Sequence, residues 1–143
     1  MSQLNLIKRI GFRAVGEWHR GENGSFFEIE ANAKTKKWVL YAFVSGKKIF
    51  YIGKSTMPFG RRLYGYKRPG KTQETNKRVS PEIANLLRSN KRVLIYLFED
   101  RQGLKFKGVK LNLSAALEDS LIDQISPKWN LNGMAKRSKA SKP

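Results

Sequence analysis

Cysteine is absent from the 143-residue chain, and His19 is its only histidine. Without cysteine the protein can form neither a disulfide nor a thiolate metal site, and one histidine cannot assemble a zinc site alone. No apolar run approaches the roughly 20 residues that a membrane-spanning helix needs, and the apolar stretch near the N-terminus is too short for a signal peptide. These absences predict a cytoplasmic protein that does not span a membrane.

Acidic residues are also scarce. The sequence has 11 Asp and Glu residues against 29 Lys and Arg residues, which gives a formal net charge of +18. A positive field of this size favours a polyanionic partner, and nucleic acid is the first candidate. A ribosome-associated role, or a charge that serves solubility alone, is the alternative that composition leaves open.

The length of the chain and its apolar fraction of 40% suit one domain with one core. We expect an N-terminal extension over residues 1–36 with a short strand at Phe26–Ile29, a core over residues 37–133, and a basic, disordered tail over residues 134–143. Strand and helix patterns follow one another within the core. They predict an α+β fold in which a small antiparallel sheet is flanked by helices.

Three segments of the core carry recognisable secondary-structure signals. Val93–Phe98 is apolar on both faces, which predicts a central strand. Ser80-Pro81-Glu82 combines a capping hydroxyl, a proline and an acid, which is typical of a helix start. A last helix is expected from near Ser114 to just before Pro127, which stops it.

Two tyrosines lie on the two arms of a predicted hairpin over residues 38–53. Because side chains alternate between the faces of a strand, Tyr41 and Tyr51 share a sheet face only if the connection has an odd length. A three-residue loop, Ser45-Gly46-Lys47, would place Tyr41 opposite Tyr51, whereas a two-residue turn would place them on opposite faces. Structural pairing of tyrosines across strands is the alternative interpretation.

Arg62 and Tyr66 are four residues apart, so they share a face of a helix that Arg61 does not. A guanidinium can bind a phosphate through two hydrogen bonds and offset negative charge in a transition state. The alternative is a solvated basic helix.

One carboxylate interrupts an apolar stripe on the last helix. The stripe consists of Ala115, Glu118, Ile122 and Ile125. A carboxylate that faces the body of a domain is costly unless it is paired or bound to a cation. Glu118 is therefore expected either to bind a metal ion or to form a salt bridge with Arg62 or Lys54.

Residues 67–78 combine cations with amides and hydroxyls. The cations supply salt-dependent affinity for phosphate, and Gln or Asn side chains can read adenine edges. A flexible, solvated loop is the alternative. The expected DNA contacts are Arg61, Lys67, Arg68, Lys71, Gln73, Asn76, Lys77 and Arg78.

The two hairpin motifs, the helix arginine, Glu118 and Asn130, taken in this order, resemble the motifs of the GIY-YIG endonuclease family. Leu40-Tyr41 stands where the family commonly has Ile-Tyr, and Tyr51-Ile52-Gly53 matches the second motif intact. Arg62, Glu118 and Asn130 follow at the family's spacing, with Asn130 twelve residues after Glu118. The spacing agrees best with the compact restriction endonucleases of the family. The register of its repair enzymes would select Arg61 instead of Arg62.

The resemblance implies a metal-dependent DNA endonuclease that hydrolyses phosphodiester bonds to 5′-phosphate and 3′-hydroxyl ends, of restriction, phage or mobile-element type. It implies that Tyr41 is the general base and Tyr51 positions the attacking water, with the assignment between them left open. Arg62 would stabilise the phosphorane, Tyr66 would contact the scissile phosphate, and Glu118 would hold Mg²⁺, with Mn²⁺ as a substitute.

Two further residues receive roles by their position. Lys54 would lower the pKa of a tyrosine or water or contact phosphate, and Asn130 would tie the chain end to the site, with Asn132 as a competitor. Double-stranded DNA is the favoured partner, bound by a monomer or a homodimer. A structure- or single-strand-specific nuclease, and a catalytically inert nucleic-acid-binding module, are the alternative functions.

Overall fold

The computed structural model describes residues 2–70 and 73–130, and a five-stranded antiparallel sheet lies at its centre. The strands of this sheet are β1 (Arg13–His19), β2 (Phe26–Ile29), β3 (Val39–Ser45), β4 (Lys48–Ser55) and β5 (Val93–Glu99), in the spatial order β2-β1-β5-β3-β4. A separate two-stranded sheet pairs β6 (Lys105–Phe106) with β7 (Val109–Lys110). The helices are α1 (Gln3–Ile10), α2 (Ala31–Lys34), α3 (Phe59–Lys67), α4 (Glu74–Arg88) and α5 (Leu113–Ile125).

Helices cover both faces of the sheet. One face, which carries Tyr41 and Phe43, packs against α2, α3 and α4. The opposite face, which carries Leu40 and Val44, packs against α1 and α5. The predicted α+β class is confirmed, and the apolar segment that was expected to be a central strand is β5, in the middle of the sheet. Within the part of the chain that the structure describes, no helix is long and apolar enough to cross a bilayer.

A β-bulge, rather than the loop length, brings the two hairpin tyrosines to one face. Ser45 pairs with Lys48, so the turn has two residues, and the predicted three-residue loop is wrong. The register then shifts, because Phe43 pairs with Tyr51 while Val44 pairs with Ile49. The extra residue on β4 shifts the alternation of its side chains by one position. Tyr51 therefore lies on the same face of the sheet as Tyr41.

The helix start predicted at Ser80 is also wrong. Helix α4 begins six residues earlier, at Glu74, and Pro81 lies inside it. The buried side chains of Asn76, Val79 and Ile83 recur at helical spacing through the proline, so one continuous face packs against the sheet. Pro81 is exposed and its backbone angle suits a helix, so it removes one hydrogen bond without ending the helix.

The first 36 residues contribute more to the fold than the expected extension with one short strand. That strand is present as β2, but β1 precedes it and lies inside the sheet, between β2 and β5. Trp18 on β1 is 1% exposed and packs edge-on against Phe43 of β3. The predicted disordered tail lies outside the described residues.

Replacement of Trp18 should show whether β1 belongs to the core. Trp18→Ala removes a fully buried ring and should lower the free energy of unfolding by about 3–5 kcal/mol. Trp38→Ala is the matched control because Trp38 is 63% exposed, and its effect should stay within about 0.5 kcal/mol. Urea denaturation of both variants measures the difference. Equal, small effects would mean that the first strand is dispensable to the core.

Candidate active site

Three tyrosines from three different elements form a cluster at one end of the packed face. Tyr41 comes from β3, Tyr51 from β4 and Tyr66 from α3, and their ring centroids are 6.1 to 6.3 Å apart. The hydroxyl oxygens of Tyr41 and Tyr66 are 2.5 Å apart and share a hydrogen bond. The bulge in β4 and the last turn of α3 therefore converge on one group of phenols.

Gly53 makes room for this cluster. A Cβ atom at Gly53 would lie 2.5 Å from the Tyr41 hydroxyl oxygen and 2.8 Å from the Tyr51 ring, well inside van der Waals contact. Glycine is required there because the Tyr41 ring lies directly over the neighbouring strand, where Tyr41 and Gly53 pair. The glycine of the Tyr-Ile-Gly motif thus has a packing reason in this chain.

Arg62 extends the cluster toward α4. Its Nη2 donates to the Tyr66 hydroxyl at 3.0 Å, and its Nη1 donates to Asn76 Oδ1 at 2.8 Å. The guanidinium carbon lies 4.8 Å from the centre of the Tyr66 ring. Arg61 is exposed on another side of the helix. Of the two candidate arginines, the structure places Arg62 at the tyrosine cluster.

Burial keeps two of the tyrosines neutral. Tyr41 is 0% exposed, and this burial, with a smaller effect from Tyr51, raises the pKa of its hydroxyl above the usual range. Burial likewise raises the pKa of Tyr66 well above its usual range. A general base at Tyr41, as expected from the sequence, would need a tyrosinate that this environment disfavours. Tyr51 is 7% exposed, so it has more access to water.

Glu118 on α5 is half-buried, and no salt bridge joins it to another residue in the part of the chain that the structure describes. Among the described residues, its carboxylate forms no ion pair within 4.0 Å, so neither expected salt bridge, to Arg62 or to Lys54, is present. Burial raises the pKa of the Glu118 carboxyl above its usual value of 4.5, although nearby Lys54 opposes the shift. The Glu118 charge also raises the pKa of Tyr41, which relates the carboxylate to the tyrosine cluster.

A cation at Glu118 would not meet a cluster of ligating side chains from the described residues. The described residues contain no group of three or more His, Cys, Asp or Glu side chains that could hold a metal ion. An unpaired, half-buried carboxylate is nevertheless the donor that a hard divalent ion accepts while keeping several of its waters. The donor set therefore fits magnesium better than zinc.

Asn130 binds the edge of the sheet next to the cluster. Its Oδ1 accepts from the Ile52 backbone N–H at 2.9 Å, and its Nδ2 donates to the Ile52 carbonyl at 2.8 Å. The Trp129 N–H donates to the Phe50 carbonyl at 2.8 Å. These contacts provide hydrogen-bond partners for backbone groups at the free edge of β4, on either side of Tyr51. Asn132 lies outside the described residues.

The basic stretch divides into exposed and internal side chains. Arg61, Lys67, Arg68, Gln73 and Lys77 are exposed, and Lys71 lies outside the described residues. Of the two other expected DNA contacts, Asn76 is buried and Arg78 donates a hydrogen bond to the Trp129 carbonyl. Sequence reasoning missed their internal roles because it placed this segment in a loop. Asn76 lies three residues before Val79 and seven before Ile83, a spacing that could have revealed the longer helix.

Replacement of the unpaired carboxylate should stabilise the protein. A pKa raised above 4.5 means that the neutral carboxyl contributes stability below about pH 4.5, which is lost as the pH rises through the raised pKa. Glu118→Gln stays neutral at all pH values, so its free energy of unfolding should exceed that of the wild type at pH 7. The difference should disappear below about pH 4.5, as the wild-type carboxyl is protonated.

Urea denaturation at pH 4 and pH 7 measures this difference. Asp123→Asn is the control, because Asp123 is exposed on the same helix and its replacement should leave stability nearly unchanged at both pH values. A Glu118→Gln variant that is less stable than the wild type at pH 7 would instead identify Glu118 as a partner in an ion pair.

No protein-family model and no curated protein sequence matches the chain. Four chains in solved structures resemble it, among them the two that follow. A mutant of bacteriophage T4 EndoII has a TM-score of 0.67 and 16% identity, over 91% of this chain and 98% of that one. The restriction endonuclease HPY188I, in complex with product DNA, has a TM-score of 0.54 and 18% identity, over 88% of this chain and 82% of that one. The chain therefore shares the α+β fold of these nucleases.

Proposed function

We propose that this protein is a metal-dependent DNA endonuclease of the GIY-YIG type, which hydrolyses phosphodiester bonds to 5′-phosphate and 3′-hydroxyl ends. The observation that carries the proposal is Arg62, hydrogen-bonded at a three-tyrosine cluster on which the charge of the half-buried Glu118 carboxylate acts. The two similar structures support the proposal of a DNA endonuclease. One is a phage protein and the other a restriction enzyme with product DNA, so they also support a phage or restriction role.

DNA binding follows from the charge of the chain. The net charge is +18, and exposed cations at Arg61, Lys67, Arg68 and Lys77 lie on or next to the helices that carry Arg62 and Asn76. Each contact with a phosphate releases counterions, so affinity should fall steeply with salt. Double-stranded DNA is the proposed substrate.

Arg62 would bind the scissile phosphate. A guanidinium has five N–H donors, and Tyr66 and Asn76 each accept from one of them, so another donor could reach a phosphate oxygen. Its charge would stabilise the extra negative charge of the phosphorane, and a held guanidinium needs no reorganisation during the reaction.

The tyrosines would have different roles: Tyr66 would contact the phosphate, and Tyr51 would contact the attacking water. Tyr66 accepts a hydrogen bond from Arg62, so if Tyr41 donates its proton to Tyr66, the Tyr66 hydroxyl can donate to a phosphate oxygen. Tyr41 then remains a neutral, buried hydroxyl that orients Tyr66. The more exposed Tyr51 is the proposed residue that positions the attacking water and, as a tyrosinate, accepts a proton from it.

Glu118 would hold the metal ion, Mg²⁺ or Mn²⁺ in its place. Such an ion supplies Lewis-acid chemistry at a phosphate oxygen when it is bound. Lys54, whose charge opposes the raised pKa of Glu118, helps to keep the carboxylate ionised at neutral pH. Lys54 is exposed and would also offer an ammonium group to the phosphate.

A DNA cleavage assay with magnesium tests the function, and the two neighbouring arginines provide a matched pair. Duplex DNA should be cut with magnesium and left intact with EDTA. Arg62→Ala should lower kcat by about 10²–10³-fold, because exposed charge cannot replace a guanidinium at the phosphorus. Arg61→Ala should mainly weaken binding and its effect should disappear at saturating DNA.

The same assay distinguishes the alternative functions. Preference for branched or single-stranded DNA would replace the duplex substrate, and binding without cleavage of any substrate would leave an inert nucleic-acid-binding module. Sequencing of the cut ends should give 5′-phosphates. Equal losses of kcat in the two arginine variants would contradict the role of Arg62.

The division of work between the tyrosines predicts unequal effects of removing their hydroxyls. Tyr51→Phe should lower kcat by about 10²–10⁴-fold with little change in DNA affinity, because it removes the proposed base. Tyr41→Phe should cost less, since it removes only the hydrogen bond to Tyr66. Single-turnover rates measured across pH compare the two. A larger loss for Tyr41→Phe would return the role of general base to Tyr41.

A further inference from the structure

We propose that Asn76 is a positioning residue that holds the Arg62 guanidinium in the orientation needed to bind the scissile phosphate. The inference rests on the proposed function and adds a residue to its machinery. It replaces the expectation, drawn from the sequence, that Asn76 reads a base edge in DNA.

The burial of Asn76 excludes a base-reading role in this structure. The residue is 2% exposed and lies between α3 and α4, where it packs on the face of α4 that also carries Val79 and Ile83. A base edge can be read only by a side chain that reaches a groove of the DNA. Gln73, by contrast, is exposed.

The hydrogen bonds fix the orientation of the carboxamide. Arginine has donors and no acceptor, so the Asn76 atom that faces Arg62 Nη1 at 2.8 Å must be the carbonyl oxygen. The Nδ2 atom then donates to Gln73 Oε1 at 2.8 Å, and the same Gln73 oxygen accepts from the Gly70 backbone N–H at 2.9 Å. Each of these atoms has a partner of the correct type, so the carboxamide has a reason to keep this orientation.

Gly65 on α3 provides the space for this arrangement. A Cβ atom at Gly65 would lie 2.7 Å from Asn76 Nδ2. Glycine in the interior of a helix is unfavourable by about 1 kcal/mol relative to alanine, so its presence here has a compensating reason. That reason is the close approach of the Asn76 carboxamide to the backbone of α3, one residue before Tyr66.

Two contacts hold the guanidinium from opposite elements. Tyr66 binds one terminal nitrogen from within α3, and Asn76 binds the other from α4. A long, flexible side chain held at both terminal nitrogens is already ordered before the substrate arrives. Less conformational entropy of the side chain is therefore lost when the phosphate binds and reacts.

Asparagine also suits this position because it is neutral. A carboxylate in the same place would accept the same hydrogen bond but would offset the positive charge of Arg62. A neutral acceptor orients the guanidinium and leaves its full charge to the phosphorane. Asn76 acts through Arg62 and needs no contact with the DNA.

The test is a double-mutant cycle in the DNA cleavage assay. Asn76→Ala should lower kcat by about 10²-fold with little change in KM, because a misplaced catalytic group costs a factor of this size. In an Arg62→Ala background the same change should have no further effect. Asn85→Ala is the control, because Asn85 is an exposed asparagine on the same helix that also accepts a hydrogen bond from an arginine, Arg88.

A second variant keeps the proposal testable if Asn76→Ala does not fold. Asn76→Asp retains the acceptor for Arg62, loses the donor to Gln73 and should fold, but it should lower kcat because its carboxylate offsets the charge of Arg62. Losses that multiply in the double variant would overturn the proposal, and so would wild-type kcat in folded Asn76→Ala or in Asn76→Asp. A changed cleavage-site profile with unchanged kcat would return Asn76 to base reading.

Nuclear magnetic resonance of the arginine side chains separates this inference from the proposed function. In the wild type, rotation of the Arg62 guanidinium should be slow, and Asn76→Ala or Asn76→Asp should alter its resonances, whether or not DNA is cut. If the wild-type protein cleaves no DNA, the proposed function fails, and Arg62 resonances unchanged by both variants would overturn the positioning role as well.

Discussion

The bulge between β3 and β4 determines which side chains can meet at the candidate site. Because Phe43 pairs with Tyr51 and Val44 with Ile49, one extra residue on β4 turns Tyr51 toward the face that carries Tyr41. Without it, the two-residue turn would leave Tyr51 on the opposite face, beneath α5. The tyrosine cluster, the position of Gly53 and the contact with α3 all depend on this single change of register.

Polar side chains inside the fold bind the elements that the bulge brings together. Asn130 satisfies the outer edge of β4 at Ile52, and Asn76 connects α4 to Arg62 on α3. Both amides have their donors and acceptors matched, so burying them leaves no unsatisfied polar group and fixes geometry that apolar packing alone would leave variable. The ion pairs of the described residues lie mostly at the surface, for example Arg92 with Glu17, and contribute little to this order.

The candidate site combines buried tyrosine hydroxyls with charged side chains. Tyr41 and Tyr66 are buried, burial raises the pKa of both hydroxyls, and the two share a hydrogen bond. Arg62 places a positive charge at that cluster, and the charge of Glu118 acts on Tyr41. Burial raises the pKa of the Glu118 carboxyl, so ionisation of this group is less favourable in the folded protein than in water.

Local patterns in the sequence were enough to determine the α+β class, the central position of β5 and the end of α5 before Pro127, because each depends on apolar periodicity or on a helix breaker. They also indicated Tyr51-Ile52-Gly53, Arg62 and Glu118, which follow one another at a characteristic spacing. Tertiary structure alone decided the face of Tyr51, the hydrogen bonds that hold Arg62 at the tyrosine cluster and the internal position of Asn76. Each of these depends on a contact between elements distant in the chain: a bulge set by pairing with β3, a hydrogen bond between helices, and a glycine that lets two helices approach. The strand β1 was missed for the same reason, since only Val15 and Trp18 of its side chains are buried, and its place in the sheet comes from pairing with β5.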